Sequence, residues 1–320
     1  MAKFNEYPVK AKPADADTFL AYDASGKSNK QVTMQSVAEA TLSRISHNIP
    51  RLEPKDITSY YNNGSLWKRL NGTDGYSLFE DIYVGDYFQM SRAISAKNPD
   101  STQQLTGSDW VTIASIGGLA HNGDNIDLTP NHLVMVPGKG FGGNQHFGKS
   151  RMNLTNTTVG GYKGSEMNAT VLGDIATSGS TASNATINQQ LYAEFGSHLK
   201  TTRELVSNSI NANGVNRYGS SNGCSNNWEW MDAQAILMSE TELYGSIAWS
   251  SSGYDTGNAN HQFELFVNSK SAINNRSAYY WLKDVASASE FCYCNYNGIS
   301  SCNGASNAGN FVRPRFVIVA

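Results

Sequence analysis

The chain has 320 residues, of which 16% are charged and 11% aromatic, with a formal net charge of −3. That thin, slightly acidic charge excludes the basic field nucleic acid demands, and no apolar run reaches the roughly 18 residues of a membrane span. MAKFNEYPVK at the start lacks the apolar stretch of a secretory signal, and cysteines 224, 292, 294 and 302 are too few and too bunched for a disulfide framework. A soluble chain made in a cytosol is the expectation, and the surplus of Asn, Ser, Thr, Gly and aromatics predicts an α+β fold rich in strands and loops.

Residues 1–50 differ from the rest. Thr18–Tyr22 and Lys30–Thr33 predict two short strands around the turn residues Asp23–Asn29. Met34, Val37, Ala38, Thr41 and Ile45 then recur at helical spacing behind the capping pair Ser36 and Glu39. One short amphipathic helix cannot bury its stripe alone, so 1–50 is expected to be an oligomerisation or attachment segment and 51–320 the main domain.

In the main domain, Leu66–Tyr76 carries two Gly-centred turns, and Ile82–Met90, Trp110–Ile116 and His132–Pro137 predict strands. Gly138, Gly140, Gly142, Gly143 and Gly148 lack the Gly-Lys-Ser/Thr ending of a phosphate cradle. Arg151–Met167 suits a hydrogen-bonded loop packed on the domain. Leu191, Phe195, Leu199 and Leu205 predict one helix and part of a second over Ile187–Val206. Residues 208–227 predict an exposed loop, Trp228-Glu229-Trp230 opens a strand or buried turn, and Ser239–Gly245 predicts a short capped helix. Phe263–Phe266 alternates as a strand does.

The C-terminal stretch organises the rest. Ser277–Leu282 and Asn310–Ala320 predict buried strands. Between them lies an Asn-, Ser-, Gly-, Tyr- and Cys-rich insert with Glu290 the single charge between Asp284 and Arg313. Its composition resembles a paratope, in which Tyr supplies contact area at low entropy cost and Asn and Ser adapt their hydrogen bonds. The expected contact residues are Phe291, Tyr293, Asn295, Tyr296, Asn297, Ser300, Asn303, Asn307 and Asn310. The expected framework is Trp228, Trp230, Trp249 and Trp281 in the core, with Arg313 and Arg315, at least one of them buried and paired.

The motif Met152-Asn153-x-Thr155-Asn156-x-Thr158-x-Gly160-Gly161-Tyr162-x-Gly164-Ser165 carries a resemblance. Leu243-Tyr244-Gly245, Trp249-Ser250, Tyr280-Trp281-Leu282 and Val312-Arg313-Pro314-Arg315-Phe316 follow it in order. Over roughly residues 60–320 the chain resembles bacteriophage virion fibre proteins, of head or tail, with C-type-lectin-like terminal domains. Asp17-x-Phe19-Leu20-Ala21-Tyr22-Asp23 looks like the attachment end of such fibres. The resemblance implies a homotrimer in the virion, made in the host cytoplasm. It would be bound through its N-terminus to capsid or tail and through the insert to a bacterial surface receptor or glycan. In some relatives a retroelement diversifies the insert by mutating template adenines, which asparagine codons such as those of 295, 297, 303, 307 and 310 supply. The Trp-Asn-Asp element of calcium-dependent sugar binders is missing, so neither metal nor cofactor is expected.

Other readings stay open. Cys292, Cys294 and Cys302, with Cys224, could form a metal site, a disulfide or thiols. His121, Asp124, Asp127, His132 and His146 could form a metal or acid–base site. A purely structural decoration protein is one alternative. A glycan-cutting enzyme is another, which needs two carboxylates about 5 to 9 Å apart; Glu229, Asp232, Glu240, Glu242 and Asp255 are candidates, but no spacing singles out a pair. No catalysis is expected.

Overall fold

The computed structural model describes residues 18–23, 28–34, 47–50, 53–100, 105–123, 128–142, 145–208, 228–250, 261–273 and 278–320. The chain divides into two compact units, Met1–His47 and Asn48–Ala320. In the first, β1 (Thr18–Asp23) pairs antiparallel with β2 (Ser28–Thr33), from Thr18 opposite Thr33 to Asp23 opposite Ser28. Beyond Met34 the helix expected over Met34–Ile45 lies outside the described residues, as do Cys224, Asp124, Asp127 and Asp255.

The second unit is mixed α and β, rich in antiparallel strands and poor in helix. A central sheet runs in the order β3 (Tyr87–Gln89), β4 (Trp110–Ile116), β5 (His132–Pro137), β13 (Pro314–Val319) and β6 (Leu199–Lys200), with β9 (Ile236–Leu237) on the leading end of β13. The last strand is therefore interior to the sheet. Phe316 faces Met135 and Val319 faces His132 on one side, while Val317 faces Lys200 on the other. Every residue of β5 and β13 is buried. Strands buried on both faces read as unbroken apolar runs, which is why these two were visible in the sequence.

Among the described residues of this unit there are two smaller sheets: β7 (Thr202–Ser207) with β8 (Trp228–Ala233), and β10 (Tyr280–Val285) with β11 (Glu290–Cys294) and β12 (Ser300–Gly304). The helices are short: α1 (Thr58–Asn62), α2 (Ser65–Asn71), α3 (Ile187–Phe195), α4 (Glu240–Tyr244), α5 (Glu264–Asn268) and α6 (Lys270–Ile273). Among the described residues no helix is long and apolar enough to cross a membrane.

The two Gly-centred turns expected over Leu66–Tyr76 are present, at Gly72 (φ 62°) and Gly75 (φ 88°), behind the helix α2. Three expectations are corrected. Of Ile82–Met90 only Tyr87–Gln89 is strand, because the buried Asp86 carboxylate accepts from the Lys55 and Tyr83 amides and bends the chain before it. The second helix expected before Val206 is instead β6 and β7, whose inward Thr202 and Glu204 broke the apolar period. Phe263–Phe266 is not a strand but the start of α5, with the Phe266 and Val267 amides bonding back to the Phe263 carbonyl. A four-residue apolar run cannot distinguish the two.

Candidate ligand-binding surface

The insert begins and ends at one place. The Trp281 amide donates to the Phe311 carbonyl (3.0 Å) and the Phe311 amide to the Tyr279 carbonyl (2.6 Å). Between these points the chain makes a hairpin, with β11 antiparallel to both neighbours. Asn295 turns it: the Asn297 and Ile299 amides donate to its Oδ1 (2.8 and 3.0 Å), and Gly298 sits at φ 80°. That is a three-residue loop with a Gly bulge, one of the common hairpin connections.

The hairpin's root is core. Phe291, Cys292, Cys294 and Ala305 are 0% exposed. Phe291 was expected on the contact surface; the structure buries it opposite Val285 of β10, at a point where both faces of β11 are covered, since its neighbour Cys292 is buried too. Asn310 is also buried, and Asn295 and Asn307 use their Oδ1 atoms as turn-makers, Asn307 accepting from the Gly309 amide (2.7 Å). Asn303 is half-buried and its Oδ1 accepts from the Gly304 amide (2.9 Å).

The hairpin's tip is different. Tyr279, Tyr296 and Ile299 are 39%, 45% and 58% exposed, and Asn297 is exposed with them. Tyr279 meets Tyr296 edge-on at 5.4 Å and Tyr293 at 5.9 Å, and half-buried Tyr293 stands edge-on to buried Trp281 at 6.4 Å. A graded stack of rings thus runs from core to surface. Aromatic pairs of this kind are worth about 0.5–1.5 kcal/mol beyond their buried area, so the outermost rings are held while exposed.

Trp249 lies beside this tip, and its expected core role is corrected: it is 50% exposed. Its indole N–H donates to the Ser300 carbonyl (3.1 Å). The loop that carries it is wrapped around the fully buried carboxylate of Glu240. That group accepts from the Ala248, Trp249 and Ser250 amides (3.1, 3.2 and 3.0 Å), from the Ser250 hydroxyl (2.7 Å) and from the Ser300 hydroxyl. Glu240 therefore ties the Trp249 loop to β12. Trp228 and Trp230 on β8 are half-buried, and Trp281 is fully buried with its N–H on the Ser150 carbonyl (2.9 Å).

Both arginines are buried and each has its own solution. Arg315 donates from Nε to Glu242 (2.8 Å) and from a terminal nitrogen to Glu204; Lys283 lies 3.5 Å from both carboxylates. Two cations and two anions from β13, β10, β7 and α4 thus neutralise one another out of water. Burial pushes the Glu242 carboxyl up, but Arg315 and then Lys283 outweigh it and hold the group down at about 2. Arg313 instead donates to the Ile273 and Ala272 carbonyls (2.8 Å each) at the C-terminal end of α6, and lies over the Phe266 and Tyr280 rings.

The 152–165 motif is the clamp at the insert's base. The Thr158 hydroxyl donates to the Ser287 carbonyl (2.8 Å), Asn156 Oδ1 accepts from the Ser306 amide (2.9 Å), and the Met152 and Asn153 amides both donate to the Ala305 carbonyl (2.9 Å). Gly161, at φ 61°, packs where a Cβ would lie 2.5 Å from the Ser207 carbonyl oxygen. Tyr162 is fully buried, its hydroxyl accepting from the Leu237 amide (3.1 Å).

Among the described residues, His132, His146, Glu229 and Asp232, raised as chemical candidates, are engaged separately. His132 bridges the Thr129 carbonyl and the Leu119 amide, and burial lowers it to about 4. His146 stacks on Phe311 at 3.8 Å, and burial, then Arg313, lowers it to about 3. Glu229 pairs with Lys163 (2.8 Å) and Asp232 with Arg203 (3.7 Å). Among the described residues no three His, Cys, Asp or Glu side chains gather as metal ligands.

No curated protein and no solved structure matches the chain. A family profile covers residues 157–320, which take in the Gly-Gly-Tyr clamp, the buried ion cluster and the whole three-stranded sheet. On that match, the chain belongs to the family described as Domain of unknown function (DUF6273).

Proposed function

We propose that this chain is a bacteriophage virion fibre protein whose second unit has a C-type-lectin-like fold and holds the tip of the β10–β12 sheet out to a receptor or glycan on the bacterial surface. The observation that carries the reading is the exposed ring cluster of Tyr279 and Tyr296, backed by Tyr293 and flanked by Ile299, Asn297 and Trp249. A single part-exposed aromatic is ordinary, but several gathered at one tip form the kind of patch that marks a contact site. Here they stand on a hairpin anchored through Phe291 and Trp281, so little conformational entropy remains to be lost on contact. Tyr and Trp are also the residues most enriched among binding anchors. In the same reading the first unit fastens the chain to capsid or tail and brings copies together as a trimer, and the protein catalyses nothing itself.

Adsorption to host cells tests this. Tyr296→Ala and Tyr279→Ala proteins should melt within a few degrees of the parent while losing about 2 kcal/mol or more of binding. Normal adsorption by both variants, or release of reducing sugar from cell envelopes, overturns the proposal.

A further inference from the structure

Cys292, Cys294 and Cys302 are not joined by a disulfide. The register of the hairpin nevertheless sets two of them opposite one another: Cys292 on β11 faces Cys302 on β12. Which kind of opposition this is follows from the turn. The Asn295 amide donates to the Ile299 carbonyl (2.9 Å) and, at the far end, the Ala305 amide donates to the Ser289 carbonyl (2.9 Å). Both mark hydrogen-bonded pairs, 295 with 299 and 289 with 305. Hydrogen-bonded and non-hydrogen-bonded pairs alternate along an antiparallel ladder, so 292 and 302 form a non-hydrogen-bonded pair.

That kind of pair places its Cα atoms about 4.5 Å apart, with side chains on the same face. The separation lies inside the span of about 4.4–6.8 Å that a disulfide bridges. Cys294 is a poorer partner for Cys302. It faces Ser300 in the ladder, is fully buried, and sits diagonally from Cys302 at about 7–8 Å.

We propose that Cys292 and Cys302 are a dithiol that closes into a cross-strand disulfide, a redox staple across the β11–β12 hairpin. The oxidant is a low-molecular-weight disulfide, RSSR. Half-buried Cys302 loses its proton and attacks one sulfur of RSSR, forming a mixed disulfide and expelling RS⁻. The Cys292 thiolate then attacks the Cys302 sulfur, forming the Cys292–Cys302 bond and expelling the second RS⁻. The two cysteine protons end on the two RSH released, so one disulfide is reduced and one dithiol oxidised. Burial and the neighbouring Glu290 hold the Cys302 thiol above its ordinary value, so closure quickens as pH rises. The staple would lock the strands on either side of the Tyr296 turn and leave the rings outside it. None of this depends on what the rings bind.

The test uses the full-length protein, incubated with oxidised or reduced glutathione, alkylated, digested and mapped by mass spectrometry. The expected result is a Cys292–Cys302 linked peptide pair in the oxidised arm alone, with a raised melting temperature. Cys302→Ser should abolish both, while Cys294→Ser and Cys224→Ser should leave both. Alkylation of both thiols in the oxidised arm overturns the proposal. So does a link that includes Cys294 or Cys224, or a mixed disulfide that persists on Cys302. Should Cys302→Ser fail to fold, the map of the unaltered protein decides.

Discussion

Arg315 in the last strand, fully buried, donates its Nε–H to the nearly buried Glu242 in α4, 73 residues earlier, across 2.8 Å. Glu242 has a second task, since it closes a capping box with Ser239 at the start of that helix. One carboxylate thus joins the sheet to α4. Arg315→Met leaves Glu204 and Glu242 with Lys283 alone, and should cost about 3–5 kcal/mol in urea unfolding. Replacing Lys283, Glu204 and Glu242 as well by apolar residues of similar volume should recover much of that loss, short of the capping box that Glu242 closes. A single variant as stable as the parent would show that the cluster adds nothing.

Acid should destabilise the second unit in two stages. An unfolded histidine titrates near about 6.5, whereas His132 and His146 are held at about 4 and about 3. Below about pH 6.5 the unfolded chain therefore takes up protons that the folded chain refuses, and stability falls. Glu242, held at about 2 against an ordinary value of 4.5, contributes stability that is full above 4.5 and lost as pH falls through about 2. Asp284 runs the other way. Burial and then Glu240 raise it to about 7, so its contribution is present in acid and lost as pH rises through about 7. Asp284→Asn should accordingly raise the urea midpoint above neutrality and lose that advantage in acid. A gain that is equal at every pH would refute the assignment.

Much of this was legible in the sequence, and the misses have causes. Two-sided burial made β5 and β13 plain, and Ser239 with Glu242 signalled the start of α4. Arg313 and Arg315 looked like buried framework because an apolar strand offers a charge no water. The insert was harder. Its Asn, Ser and Gly content suggested surface throughout, yet the Asn297-Gly298 pair is a hairpin signal. That Phe291 is inside could not be read from alternation, because both faces of β11 are covered at its root. Trp249 was beyond reach: the carboxylate that displays it, Glu240, has no local pattern tying it to residues 248–250 and 300.

The clamp motif can be tested at one atom. Gly161→Ala forces a left-handed backbone on alanine and pushes its Cβ into the Ser207 carbonyl and Asn208, against a backbone that cannot turn aside. A loss of at least about 2 kcal/mol is expected, with reduced protection of the 152–165 amides in hydrogen exchange. Gly142→Ala, which meets nothing within 4 Å and has no positive φ, should stay within about 0.5 kcal/mol. Equal effects at the two positions would mean that the close approach is not what the motif requires.

Glu240 should control how Trp249 is displayed. Its carboxylate is the common acceptor for three successive amides and two hydroxyls, so Glu240→Ala leaves those donors in a space closed to water. Hydrogen bonds to charged groups are worth about 1.5–3 kcal/mol each, and the loop has the alternative of opening to solvent. The expected outcome is a modest loss of global stability and a large gain in loop freedom. Acrylamide quenching of Trp249, read as the difference from Trp249→Phe, should increase as the indole leaves the Ser300 carbonyl. Glu240→Gln should restore part of the order, because its remaining oxygen can still face the 248–250 amides while its new N–H₂ turns to Ser300. If Glu240→Ala leaves the quenching unchanged, the loop is held by something else and Glu240 is only a buried acceptor.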